Sequence, residues 1–234
     1  MAGAGFFAQF HADAWQRLPH ANITAIADPD ARRAKAFSEK WNIPRVYSAV
    51  DEMLDRERPD FLDIVTRPDT HQPLAALAVQ RGIHVICQKP IAPTIEECQQ
   101  MASAAHAANT RLIIHENWRW QPWYRELHRL IAAGRFGRIF HVGFRMRTGD
   151  GLGPAPYQTQ PYFREMPRLP IYETLVHFLD TFRLLAGEIE SVYCATARLN
   201  PVIAGEDYTL IQLRFQGAAH GLIDANRISV IAPS

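Results

Sequence analysis

Three polar side chains recur at helical spacing in the segment 171–186, opposite a stripe of apolar residues. They are Glu173, His177 and Asp180, at positions i, i+4 and i+7. Imidazole, whose ordinary pKa is about 6.5, suits proton transfer at neutral pH, and a carboxylate one helical turn away can orient the ring and stabilise its protonated form. The stripe is also typical of a solvated helix face, so its chemistry depends on whether another part of the protein covers it.

A lysine follows a second apolar segment. Residues 83–87 predict a buried strand, and the chain continues as Gln88-Lys89-Pro90. If that strand belongs to a parallel sheet, Lys89 lies at its carboxyl end, which faces the crevice where α/β sheets bind ligands. Its ammonium could stabilise negative charge that develops there on a substrate oxygen, although most lysines are solvated surface charges.

The chain begins with a glycine turn of the dinucleotide-binding kind, G-x-G-x-x-A. Gly3 would make the tight turn after a strand, Gly5 would let backbone N–H groups approach a pyrophosphate, and Ala8 would let the following helix pack closely. Glycines near the start of a chain are also often simply flexible. Because only Met1 and Ala2 precede the turn, we expect the first strand to be missing and the neighbouring strand edges to be unpaired.

An acidic residue ends the next predicted strand, 23–27. Asp28 lies where a carboxylate would accept hydrogen bonds from the adenosine ribose, which favours NAD over NADP. Arg32 and Arg33 lie close enough to receive a 2′-phosphate, so NADP stays possible. Asp28 and its neighbours could also turn the chain and cap the helix that starts at Ala31.

Composition describes an ordinary globular chain. It has 234 residues, 47% of them hydrophobic, and its 25 basic and 24 acidic residues give a net charge of +1. This mixture offers no basic surface for nucleic acid, no apolar segment approaches the ~20 residues of a membrane helix, and no secretory leader is recognisable. The 3 cysteines lack metal-ligand spacing. We therefore expect a cytoplasmic protein with no metal site and no nucleic-acid or membrane partner.

Two patterns of elements follow one another along the chain. Up to His115 apolar strands alternate with amphipathic helices, which predicts an α/β fold with a doubly wound parallel sheet of the Rossmann type. After that, long successive strands predict an α+β domain with a large, mainly antiparallel open sheet. We place the domains at 1–118 and 119–234, the first lacking its initial strand and the second incomplete at its C-terminus. The predicted strands are 23–27, 61–66, 83–87, 111–115, 138–148, 189–198, 207–215 and 219–230, and the predicted helices are 6–18, 31–41, 48–56, 71–81, 95–108, 122–133 and 171–186.

Several ordered motifs together resemble those of the Gfo/Idh/MocA family of NAD(P)-dependent oxidoreductases, nearly from end to end. The motifs are Gly3-Ala4-Gly5, Asp28, Thr66-Arg67-Pro68-Asp69-Thr70-His71, Gln88-Lys89-Pro90, Glu116-Asn117-Trp118-Arg119-Trp120, and Glu173 with His177 and Asp180. The resemblance implies hydride transfer between a nicotinamide cofactor and a secondary alcohol or ketone of a sugar, polyol or related metabolite. It also implies a homo-oligomer formed through the C-terminal sheet.

The resemblance assigns roles to individual residues. Lys89 would lie near the nicotinamide and the substrate oxygen, His177 would be the catalytic acid/base, and Glu173 would orient it. The residues expected at the cofactor are Gly3, Gly5, Phe6, Phe7, Ala8, Asp28, Thr66, Arg67, Pro68, His71, Gln88 and Lys89. The residues expected at the substrate are Lys89, Asn117, Arg119, Trp120, Glu173, His177 and Asp180.

The chain departs from the family pattern at four positions. Gln88 replaces the Glu of E-K-P, Glu173 and Leu175 replace an Asp and a Gly before the histidine, and Arg67 stands where Pro is common. We therefore expect a substrate other than the well-known sugars. We also expect the printed chain to be a fragment that folds poorly or binds NAD weakly. Two other functions stay open: a catalytically silent NAD(P)-binding sensor, and a glycoside hydrolase that uses NAD chemistry transiently.

Overall fold

The computed structural model of the protein describes residues 1–230. The chain forms two compact units, Met1–His115 and Glu116–Ser234, whereas the sequence pattern placed the domain boundary after residue 118. Within the described residues, none of the helices combines the length and the apolar character that crossing a membrane requires.

The first unit is a parallel sheet with connecting helices, as the alternation of strands and helices predicts. Its elements are α1 (Ala8–Gln16), β1 (Ala25–Ala27), α2 (Ala31–Trp41), β2 (Arg45–Tyr47), α3 (Val50–Glu57), β3 (Phe61–Ile64), α4 (His71–Val79), β4 (His84–Gln88), α5 (Ile95–Ala107) and β5 (Leu112–His115). β1 pairs with β2, and β3, β4 and β5 pair in that order, all in parallel. β2 is not among the predicted strands, because this short strand is largely exposed and lacks an apolar run.

Residues 1–3 take the place between β1 and β3. Ala2 forms parallel bridges to both Ala27 and Ile64, and the Gly3 N–H donates to the Ala27 carbonyl at 2.8 Å. The Val65 N–H donates to the Ala2 carbonyl, also at 2.8 Å. The expectation that the edges of β1 and β3 stay unpaired is therefore wrong at these positions, because a very short segment is enough to join them beside the glycine turn.

A capping box starts α5. The Thr94 hydroxyl accepts the Glu97 N–H at 3.2 Å, and the Glu97 carboxylate accepts the Thr94 N–H at 3.0 Å. This reciprocal capping box satisfies backbone donors at the helix start that no residue inside the helix can reach.

The second unit is a four-stranded sheet with a helix packed on one face. Its elements are α6 (Pro122–Ala132), β6 (His141–Arg147), α7 (Val176–Ala186), β7 (Ile189–Ala197), β8 (Tyr208–Phe215) and β9 (His220–Asn226). The strand order is β6–β9–β8–β7. The β7–β8 and β8–β9 pairs are antiparallel and the β6–β9 pair is parallel, which confirms the predicted mainly antiparallel sheet.

Helix α7 carries the apolar stripe expected of it, and Leu175, Phe178 and Phe182 are buried in the core of the second unit. The α-helix starts later than predicted, however, because Pro170–Leu175 form a wider π-helical turn. A π-helical turn moves side chains away from the spacing of a regular α-helix, and such turns are frequent at functional sites. Glu173 lies inside this turn.

The long loop between β6 and the π-helical turn is anchored. The Asn200 side-chain amide donates to the Gly151 carbonyl at 2.7 Å. The loop also contributes to a small apolar cluster of its own, formed by Tyr157, Phe163, Leu169 and Ile203. A loop of this length with buried contacts is typical of a segment with a functional role.

Candidate active site

The glycine turn has the geometry that a dinucleotide requires. Gly3 has a φ of +93°, and a Cβ there would lie 2.4 Å from the Val65 carbonyl oxygen, so only glycine fits. Apart from Gly5 itself and the chain next to it, no heavy atom of residues 1–230 lies within 4 Å of the point where a Cβ of Gly5 would stand. Helix α1 starts at the fully buried Ala8, and the positive end of a helix attracts anions. The open side of Gly5 therefore fits a pyrophosphate.

Asp28 joins the glycine turn to the end of β1. Its Oδ2 accepts the Ala4 N–H at 2.9 Å, and its Oδ1 accepts the Asp30 N–H at 2.9 Å and the Arg33 Nη2 at 3.1 Å. Asp30 rather than Asp28 caps α2, since its carboxylate accepts the N–H groups of Arg32 and Arg33. A buried carboxylate at this place suits a ribose diol, while its half-exposed arginine partner suits a phosphate.

His71 connects the loops that follow β3 and β4. Its buried ring places Nδ1 at 3.1 Å from the carbonyl oxygens of both Pro90 and Ile91, and Nε2 at 3.2 Å from that of Thr66. Burial lowers the pKa of His71, and these carbonyls only partly offset the effect. Both ring nitrogens face backbone carbonyls, so the imidazole joins the two loops, and the place of His71 beside the cofactor stays a prediction.

The other residues expected at the cofactor differ in exposure. The Thr66 hydroxyl lies 2.6 Å from that of Thr70, and a short 3₁₀ turn begins at Pro68. Arg67 is exposed. Phe6 is exposed, whereas Phe7 is half-buried. The structure thus places Thr66 and Pro68 in an ordered turn after β3, and it leaves the side chain of Arg67 in solvent.

Lys89 follows the last residue of β4, and the side chain of Gln88 accepts a hydrogen bond from its backbone N–H. Gln88 is buried at the end of β4, and its Oε1 accepts the Lys89 N–H at 2.7 Å. The lysine itself is half-buried. It stands at the carboxyl end of a parallel strand, as the sequence predicted, where open α/β sheets bind their ligands.

In the second unit, His177 lies against a carboxylate and an indole. Its Nδ1 is 2.7 Å from Oε1 and 2.8 Å from Oε2 of Glu116. The Trp118 ring stacks on the imidazole, with centroids 5.2 Å apart and planes inclined by 17°. The Glu116 Oε1 also accepts the Trp118 N–H at 3.0 Å. His177 is buried, so its side of the polar stripe is covered and not solvated.

Glu116 takes the place that the sequence analysis assigned to Glu173. The Glu173 Oε2 accepts the Thr174 hydroxyl at 2.6 Å and lies 3.5 Å from the Arg227 Nη2. The carboxylate at Nδ1 of His177 belongs to Glu116 instead, which corrects the predicted orienting role of Glu173. The reason is the π-helical turn, which places Glu173 outside regular α-helical spacing from His177. The signal that could have identified Glu116 is its place directly after β5, since residues that follow a parallel strand are where α/β sheets carry ligand-binding side chains.

Asp180 is paired within the same unit. Its Oδ2 accepts the Arg119 Nε at 2.6 Å, and its Oδ1 accepts the Arg119 Nη2. The bidentate contact with Asp180 raises the pKa of Arg119. Asn117, two residues before Arg119, is half-buried, whereas Trp120 is 66% exposed. Of the residues expected at the substrate, the structure thus brings Arg119, His177 and Asp180 together around the start of α7.

Comparison with known proteins agrees with this architecture. Residues 1–116 match the oxidoreductase family with an NAD-binding Rossmann fold, GFO_IDH_MocA, and residues 124–232 match the GFO/IDH/MocA C-terminal domain. The D-apiose dehydrogenase of Paraburkholderia graminis is 34% identical over 98% of this chain and 60% of its own length. Inositol 2-dehydrogenase 4 of Saccharopolyspora erythraea is 30% identical over 80% of this chain and 53% of its own.

A solved structure is similar over the whole chain. It is the crystal structure of an oxidoreductase from Agrobacterium radiobacter in complex with NAD+, L-tartaric acid and magnesium. The TM-score is 0.94 at 30% identity, and the match covers 100% of this chain and 67% of that one. This chain spans about three fifths of the length of the D-apiose dehydrogenase that it matches.

Fold and glycine turn together define an NAD-binding Rossmann domain followed by an α+β domain. The chain belongs to the Gfo/Idh/MocA family of oxidoreductases. The resemblance inferred from the ordered motifs, the predicted fold class and the predicted NAD cofactor are thereby confirmed.

The two glycines of the turn should respond differently to the same substitution. We expect Gly3→Ala to lower the free energy of unfolding by at least about 2 kcal/mol, because a side chain there combines a left-handed backbone with a clash against Val65. Gly5→Ala, which meets open space, should stay within about 0.5 kcal/mol of the parent. Urea unfolding of the three proteins measures both values, and equal stability of Gly3→Ala and the parent would contradict the assigned turn geometry.

His71 should make the protein less stable in mild acid. Its pKa in the folded state is lowered by burial, so the unfolded chain binds the proton more readily and the stability is lost as the pH falls below about 6.5. In His71→Gln the difference in unfolding free energy between pH 7 and pH 5.5 should shrink. His20→Gln, at an exposed position of the same unit, is the control and should leave the difference unchanged. An unaltered pH dependence in His71→Gln would count against a buried, proton-resisting ring.

Proposed function

We propose that this protein is an NAD(P)-dependent dehydrogenase that transfers a hydride between a nicotinamide cofactor and a secondary alcohol or ketone of a sugar, polyol or related metabolite. The observation that carries the proposal is the contact between His177 Nδ1 and both carboxylate oxygens of Glu116. Family membership and the names of the similar proteins support the reaction class.

The contact with Glu116 decides which nitrogen of His177 acts as the base. An ionised carboxylate accepts but does not donate, so Nδ1 carries the hydrogen of the neutral ring. Nε2 then keeps its lone pair and can take the hydroxyl proton of the substrate. The imidazolium that results has Glu116 at 2.7 Å to stabilise it. The Trp118 ring, stacked on one face, restricts rotation of the imidazole and excludes water from that face.

The reaction requires a second group that stabilises charge on the oxygen. A bound nicotinamide would supply the acceptor for the hydride of the carbinol carbon, and Nε2 of His177 would take the hydroxyl proton. The oxygen thus becomes a carbonyl oxygen and carries partial negative charge on the way. The Lys89 ammonium, at the carboxyl end of β4, suits that charge. In the reverse direction the protonated imidazole returns the proton as hydride reaches the carbonyl carbon.

The cofactor choice rests on Asp28 and Arg33. We propose NAD as the physiological cofactor, because the Asp28 carboxylate is the group that accepts hydrogen bonds from a ribose diol. Arg33 pairs with that carboxylate and is half-exposed, so a 2′-phosphate could also be accommodated. NADP is the competing cofactor in the test below.

The open face of the C-terminal sheet supports a proposed homo-oligomer. Tyr193 on β7 is 64% exposed, and Leu222 on β9 is 36% exposed. An apolar surface on a wide sheet is typical of a face that another copy covers.

A cytoplasmic location also stays a prediction, and the three free cysteines support it.

A substrate panel tests the proposed reaction. Purified protein is incubated with NAD or NADP and a set of sugars and polyols that includes D-apiose and myo-inositol, and formation of reduced cofactor is followed. We expect turnover of at least one of them, faster with NAD. Release of a sugar without net NADH would instead identify a glycoside hydrolase. Calorimetric binding of NAD without any turnover would identify a sensor, and either result overturns the proposal.

Substitution of the proposed catalytic groups tests their roles. We expect His177→Ala and Lys89→Ala each to lower kcat by about 10²-fold or more, since each removes a group that acts on the transition state. Glu116→Gln keeps the size but removes the charge, and should lower kcat at least about tenfold. The controls are His128→Ala on α6 and Lys35→Ala on α2, both exposed, which should leave kcat unchanged. Near-parental turnover by His177→Ala and Lys89→Ala would refute the assignment.

A further inference from the structure

A buried polar network lies next to Lys89 within the first unit. It connects His11 of α1, Asp63 of β3 and Gln88 of β4, whose exposed fractions are 4%, 5% and 7%. The proposed reaction gives none of these side chains a chemical role. Polar groups at this depth persist in a folded protein when their hydrogen bonds are satisfied, so the positions of their hydrogens can be worked out one contact at a time.

Asp63 is the anionic end of the network. Its Oδ2 accepts the Trp15 Nε1 at 2.7 Å, and its two oxygens lie 3.1 and 3.0 Å from His11 Nδ1. Burial by itself would raise the pKa of Asp63, but the net shift is downward, and the largest cause that lowers the pKa is the hydrogen bond from His11. The carboxylate is therefore ionised and can only accept. It follows that His11 Nδ1 carries a hydrogen.

The Lys89 backbone N–H identifies which end of the Gln88 amide is the oxygen. The Lys89 backbone N–H can only donate, and it lies 2.7 Å from Gln88 Oε1, so that atom is the carbonyl oxygen. The amide nitrogen then points toward His11 Nε2 at 3.1 Å and His115 Nδ1 at 3.5 Å. Since an amide nitrogen can only donate, His11 Nε2 must accept. The His11 ring is thus neutral, with its single hydrogen on Nδ1.

We propose that Gln88 is a positioning residue for Lys89, and that the Asp63–His11 pair fixes the direction of its amide. The three hydrogen bonds of the network run in one direction: the Lys89 N–H donates to Gln88, Gln88 donates to His11, and His11 donates to Asp63. Hydrogen bonds arranged in one direction polarise and strengthen one another. The catalytic consequence rests on the function proposed for Lys89, whereas the order of the hydrogens does not.

Other ionisable groups face the network and set its limits. The Met1 amino group, whose pKa burial lowers to about 6, faces Asp63, and the His115 ring lies 4.2 Å from the His11 ring between centroids. A glutamate at position 88 would place a second carboxylate on His11, so the ring would take up a second proton to donate at both nitrogens. A glutamine supplies the donor without the charge. This explains why an amide suits this chain at the position before Lys89.

Histidine NMR on the full chain tests the hydrogen order. With ¹⁵N-labelled histidine, and His11→Gln to assign the signals, we expect the neutral Nδ1–H tautomer of His11 at pH 7. In Gln88→Glu the same ring should show the imidazolium pattern at pH 7. Gln100→Glu makes the same chemical change at an exposed position of α5 and should leave the signals unchanged. An imidazolium or an Nε2–H tautomer in the parent protein would overturn the proposal.

Gln88→Met tests the positioning role without adding a charge. The methionine has similar length but no acceptor for the Lys89 N–H, so hydrogen exchange at that amide should accelerate roughly tenfold or more. On a substrate that the panel of sugars and polyols identifies, kcat of Gln88→Met should be about tenfold below that of the parent, while KM changes little. Unchanged exchange at Lys89, or a parental kcat despite altered exchange, would overturn the role of Gln88. If the parent oxidises no substrate but the NMR and exchange results hold, the positioning role stands and the proposed function fails.

Discussion

The burial of carboxylates beside imidazoles is the constraint on which the chemistry of this protein depends. A carboxylate without donors in the interior would be neutralised by protonation, so each one must be surrounded by N–H groups. Asp63 meets His11 in the first unit, and Glu116 meets His177 in the second. In both pairs the carboxylate fixes the imidazole hydrogen on Nδ1 and leaves Nε2 as the acceptor. One unit directs that nitrogen at a neighbouring amide, and we assign the other to a substrate hydroxyl.

Much of the fold could be predicted because it follows from local patterns. Alternating apolar strands and amphipathic helices identify a parallel sheet, and Gly3 and Asp28 mark the glycine turn and the strand end that are typical of an NAD-binding Rossmann fold. The capping box at Thr94 is equally local. β2 could not be predicted in the same way, because a short exposed strand takes its conformation from the strand beside it and not from its own hydrophobicity. The pairing of Ala2 is also a property of its neighbours.

The site was only partly predictable, and the reason is geometric. Helical spacing drew attention to His177, whose catalytic role stays a prediction, but the same spacing paired it with Glu173 on the assumption of a regular helix, which the π-helical turn breaks. Glu116 contacts the same ring from 61 positions away. No periodic pattern can reveal a contact of that range. Gln88 shows the converse case, since its departure from the family motif was visible in the sequence, whereas its physical reason required the neighbouring ring.

The buried ring of His71 gives the cofactor side of the first unit a property of its own. The ring contacts the carbonyls of Thr66, Pro90 and Ile91 at once, so it connects the loop after β3 to the loop after β4. A displacement of either loop would therefore alter the contacts that the ring makes. If only one of the two loops were replaced by that of a relative, the ring would keep its contacts with one loop and lose those with the other. A replacement of either loop therefore has to preserve the positions of the carbonyl oxygens that face the ring.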